Sequence, residues 1–110
     1  MTTTRELRDR HRWQIEAAAL LVRLEEAAFH GDLPVLDWSV SAHRLVGRPP
    51  YGTETAAARH AVHAWQTHLD ATWQDSYTPT PGIRCIQAVA ERVHDTPVTV
   101  RIMADLDQDA

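Results

Sequence analysis

Val98-Thr99-Val100-Arg101-Ile102-Met103-Ala104-Asp105-Leu106 decides the fold class. Val98, Val100, Ile102, Ala104 and Leu106 alternate with Thr99, Arg101, Met103 and Asp105. A period of two is the mark of a strand with one face on a core. His94-Asp95-Thr96-Pro97 before it has the composition of a turn. The preceding stretch, Ile83 to Val93, reads two ways. Ile83, Ile86, Ala90 and Val93 have helical spacing, and Pro81 suits a first helical position. A turn so close to a strong strand favours an antiparallel partner, and the β-branched residues fit one. A strand is therefore expected over this stretch.

Working back towards the N-terminus, Ala71 to Gly82 holds Trp73, Tyr77 and Thr78-Pro79-Thr80-Pro81. It reads as a loop stiffened by two prolines. Thr53 is a candidate N-cap for a helix running to about Asp70, with Ala58, Ala61, Val62, Trp65 and Leu69 along one side. Leu36, Trp38 and Val40 alternate with Asp37, Ser39 and Ser41. Ala42-His43-Arg44 would turn that strand back into Leu45 to Arg48, and Gly47 with Pro49-Pro50 would end it.

The first segment is a long helix. Thr3 and Glu6 have capping-box spacing, and Gly31 stands where a stop is expected. The span between them is about seven turns. Leu7, Ile15, Ala18, Val22 and Phe29 form one apolar stripe; Trp13, Ala17, Leu20, Leu24 and Ala28 form a second, with Leu21 between. A helix lying on one core needs an apolar arc of about 100°. The two stripes exceed that, so cover on two sides is expected: the chain's own sheet, and a second copy of the chain against Trp13, Ala17, Leu20 and Leu24.

The order is then α-β-β-α-β-β. It describes a single α+β domain over residues 1–106, a two-layer sandwich of two helices on a four-stranded antiparallel sheet. Residues 107–110 form an acidic frayed tail. With 110 residues the chain is of single-domain size, and 44% hydrophobic with 24% charged residues is ordinary for a globular protein.

The basic residues are eleven Arg with no Lys, and Asn is absent too. Arg has GC-rich codons, so this usage points to a GC-rich bacterial genome before it points to phosphate recognition. A net charge of −4 argues against nonspecific attraction to nucleic acid or anionic lipid. The polar N-terminus and the single cysteine give the expectation of a cytoplasmic protein.

Candidate chemistry is sparse. His60 and His63 are three apart on the second helix, with His68 further along, but a zinc-protease helix needs a four-residue step with Glu between. Both point away from the apolar stripe, as solvated histidines do, and no metal or cofactor is expected. Asp37, Ser39 and Ser41 share one strand face near His43 without a nucleophile elbow. Cys85 has no CxxC partner, and four scattered Gly build no phosphate cradle. Arg5, Arg8, Arg10 and Arg12 could grip phosphates, but Glu6 and Asp9 are spaced to pair with them. The leading expectation is a non-enzymatic interaction module forming a homodimer. The alternative is a nucleic-acid-associated regulator using the four N-terminal Arg.

Overall fold

A computed structural model describes residues 3–108. Helix α1 (Thr4–Gly31) is followed by β1 (Asp37–Ser41), β2 (Arg44–Arg48), helix α2 (Thr55–Leu69), β3 (Thr72–Thr80), β4 (Ile83–Ala90) and β5 (Thr99–Asp107). The five strands form one sheet in the order β1-β2-β5-β4-β3.

The α+β class stands, with two corrections. The sheet has five strands, because the segment expected as a loop is β3. Its residues are exposed throughout, and its pairing with β4 is interrupted by bulges. An edge strand with no buried face has no alternation to display, and Pro79 is tolerated only at such an edge. The sheet is also mixed. β1–β2, β3–β4 and β4–β5 are antiparallel, but β2 and β5 run parallel. The chain crosses from β2 through α2 to the far edge and returns as a meander, so β5 enters beside β2. The strand expected over Ile83 to Val93 runs as far as Ala90 and pairs with β5 along its whole length; Val93 instead opens a short 3-10 turn, Val93–Asp95.

β5 takes the centre because it is the most apolar strand. Val100, Ile102, Ala104 and Leu106 are buried on the helix side, and Met103 is buried on the other. Asp107 belongs to this strand, and Gln108 N–H donates to Gly82 O at 2.8 Å, so the expected tail is ordered up to there. The last two tail residues lie outside the described residues.

Both helices cover one face. α2 buries Ala58, Ala61, Val62 and Trp65. Its N-cap is Glu54 and not the expected Thr53, whose hydroxyl donates to Pro50 O at 2.6 Å. α1 starts with the expected capping box between Thr3 and Glu6. At its other end Gly31 is still helical, and Asp32 takes the left-handed conformation at φ 55°. Trp38 lies between the helices: its Nε1 donates to Glu25 of α1 at 3.0 Å, and its ring meets Trp65 edge-on at 5.4 Å.

Gly47 is required by that packing. A Cβ there would stand 2.9 Å from Leu36 Cδ1 and 3.0 Å from two ring carbons of Trp38. Gly47→Ala is expected to destabilise the fold by about 1–3 kcal/mol through overpacking. Urea unfolding measures it, and a midpoint equal to that of the parent chain contradicts it.

The molecule is elongated, 49 × 37 × 24 Å. Its radius of gyration of 15.2 Å exceeds the roughly 13 Å expected for a compact chain of this length. In α1 the first buried residue is Ala17, the first to touch the sheet end is Trp13, and no residue of the turns before Trp13 is buried.

Candidate interaction surface

The outer side of α1 is the main unpartnered apolar surface among the described residues. Leu7 is 48% exposed, Ile15 68%, Val22 57% and Phe29 81%. At 100° per residue these four fall within an arc of about 80°. Exposed Ala18 lies in the middle of the stripe. Beside it a shallow apolar hollow of about 560 Å³ is lined by Ala18, Leu21, Val22, Glu25, Glu26 and Phe29, with His30 at its end. Scattered surface hydrophobics are normal, but a contiguous stripe marks an interaction site.

This corrects the sequence expectation. Ala17, Leu20 and Leu24 are buried in the chain's own core, so they offer nothing to a second copy. Trp13 is half-buried, its ring 5.2 Å from that of His43 in the β1–β2 turn. His43 Nε2 in turn lies 3.1 Å from Glu16 Oε2. The stripe expected against the sheet faces outward, and the stripe expected against a partner faces the sheet. Both were visible; which was which was not.

The other sequence candidates are dispersed. Arg5, Arg8, Arg10 and Arg12 are exposed on the projecting part of α1, and Arg12 Nη2 donates to Asp9 at 2.7 Å. His60 and His63 are exposed as expected, with the His63 ring 4.8 Å from Trp73 of β3. No group of three or more metal-ligating side chains occurs among the described residues. Asp37, Ser39 and Ser41 face the side of the sheet away from the helices, opposite Arg48, Val46 and Arg44 of β2. His43 is held against α1 by Glu16.

Cys85 is buried on that same helix-free face, where it pairs with Tyr77 of β3 on one side and Asp105 of β5 on the other. Burial pushes its thiol above the ordinary cysteine value, and the adjacent thiol pushes the Tyr77 hydroxyl up. A reactive cysteine needs the opposite shift. Arg48 and Asp105 close this cluster at 3.9 Å. This pairing has no signature in the sequence, where Tyr77 falls in a stretch that reads as a loop.

A polar hollow of about 640 Å³ lies between the end of α2 and the β4–β5 connection, with His68, Asp70, Glu91, Arg92 and His94 around it. The connection holds Arg92, His94 and Asp95 at φ 53°, 55° and 59°. All five of those polar side chains are solvent-exposed. No helix among the described residues is long and apolar enough to cross a membrane. Comparison of the chain with protein-family models, curated proteins and solved structures finds no match.

Proposed function

We propose that this chain is a non-catalytic protein-interaction module that self-associates through the outer face of α1. The observation that carries the reading is the stripe of Leu7, Ile15, Val22 and Phe29, each about half exposed or more. Full burial of one such side chain is worth about 1.5–3 kcal/mol, and a symmetric pair of copies covers eight of them partway. That gain competes with an association cost of at least about 4 kcal/mol. A modest, concentration-dependent dimer is the expected balance.

The non-catalytic part rests on where the candidate groups lie. Ser39 and Ser41 face the helix-free side of the sheet, whereas His43 is engaged by Glu16 of α1. The Cys85 thiol is buried, and that burial pushes it above the ordinary cysteine value, away from the thiolate a nucleophile needs.

The test is light scattering across a concentration series. The parent chain is expected to run as a dimer at high concentration. Val22→Glu is expected to run as a monomer, with circular dichroism and melting temperature equal to those of the parent at dilutions where the parent too is monomeric, because the side chain faces solvent in the lone chain. A parent chain that stays monomeric at every concentration overturns the proposal. The alternative reading, nucleic-acid binding through Arg5, Arg8, Arg10 and Arg12, is favoured by their projection from the body and opposed by the Asp9–Arg12 pair. It requires binding that falls steeply with salt.

A further inference from the structure

Resting on the self-association reading, we infer that the second copy lies antiparallel to the first, its α1 crossing this one at Ala18 with Arg8 set against Glu26. The charges on α1 are segregated along its length. Residues 5–12 carry four Arg against Glu6 and Asp9, a balance of +2. Residues 23–32 carry Arg23 against Glu25, Glu26 and Asp32, a balance of −2. Side by side in parallel, two such helices set like charge against like at both ends. Reversed, each basic end lies along an acidic one, and the helix dipoles also oppose favourably.

The register follows from the stripe itself. Leu7 and Phe29 lie eleven residues either side of Ala18. A twofold axis at Ala18 sets Leu7 opposite Phe29 of the second copy and His11 opposite Glu25, and brings Ile15 within one residue of Val22. Ile15 then fills the hollow beside Ala18 and Val22. Ala18 is the small side chain at the crossing, which lets the axes approach to about 8 Å, the close end of helix packing.

Arg8 and Glu26 are eighteen residues apart, five turns of helix, so they lie on the same flank of the stripe. Both are exposed. In an antiparallel pair that flank meets its own copy, so each Arg8, level with Ala28 of the second copy, stands about 3 Å along the axis from that copy's Glu26, within reach of the two long side chains, twice by symmetry. The arrangement also gives the projecting turns a support. Residues 3–12, unburied in the single chain, lie along residues 24–33 of the second copy. Short helices without tertiary contacts are marginal in water.

Cross-linking tests the direction independently of association. Leu7→Cys and Phe29→Cys, one of them affinity-tagged, are mixed and oxidised with copper phenanthroline. The mixture is expected to give a cross-linked heterodimer, and neither variant alone should cross-link. Ala18→Cys alone should cross-link with itself. Cys85 stays in place, since it is buried, and the parent chain serves as its control. Cross-linking of Leu7→Cys alone, or none by the mixture while light scattering still shows a dimer, overturns the antiparallel arrangement and leaves self-association standing. A monomer in light scattering overturns both. Charge reversal gives the second measurement. Arg8→Glu is expected to weaken the dimer about tenfold, as like charges now face at two sites, and Glu26→Arg added to it should restore the affinity. No recovery in the double variant counts against the register.

Discussion

Leu20→Glu is expected to unfold the chain, not merely to separate two copies of it. Leu20 is 1% exposed and packs with Ala17 and Leu24 beneath the β1–β2 end of the sheet. Removing a leucine from such a site costs about 2–5 kcal/mol in lost transfer and packing. A carboxylate left there has no partner among buried polar groups, because the described core contains none. The desolvation of that charge adds several kcal/mol more. Together these approach the whole stability of an ordinary domain, about 5–15 kcal/mol. The expected readout is loss of the cooperative thermal transition and of near-ultraviolet circular dichroism. A Leu20→Glu chain that melts like the parent would place that side chain on the surface and reverse the assignment of the two faces of α1. Val22→Glu, two residues further on, puts the same charge in water and should leave the melt of the dilute, monomeric chain unchanged.

Trp65→Ala carries the second large effect. Trp65 is fully buried at the centre of the core. Its ring meets Trp38 at 5.4 Å and His68 at 5.8 Å, both edge-on. Its Nε1 donates to Pro34 O at 2.8 Å, which anchors the connection between α1 and β1. Truncation costs about 3–5 kcal/mol for the cavity, and the orphaned Pro34 carbonyl adds about 1 kcal/mol. For a chain of this size that lowers the melting temperature by at least about 12 °C. Trp65→Phe keeps much of the volume and loses the donor, so it should fall between. A melting temperature within a degree or two of the parent for Trp65→Ala contradicts this account of the core.

The elements legible in the sequence were those with a buried face. The Thr3–Glu6 box fixed the start of α1, and the alternation in Val98 to Leu106 marked β5. The single stripe of Ala58, Ala61, Val62 and Trp65 marked α2. β3 was not legible, because a strand exposed on both sides places no periodic demand on its residues. The parallel pairing of β2 with β5 was not legible either. Strand patterns report burial and not neighbours, and short turns between consecutive strands imply antiparallel pairs alone.

The candidate surface shows the same division. That α1 has more apolar girth than one core can cover is a property of its residues alone, and it survives folding. The choice between the stripes is tertiary. Ala17, Leu20 and Leu24 are no more apolar than Ile15, Val22 and Phe29, so burial alone gives no preference. Two polar contacts add a preference: Glu16 to His43 of the β1–β2 turn, and Glu25, which reaches from the edge of the outer stripe to the Trp38 indole. Those partners are 27 and 13 residues away along the chain, and only the folded sheet brings them to one side of α1.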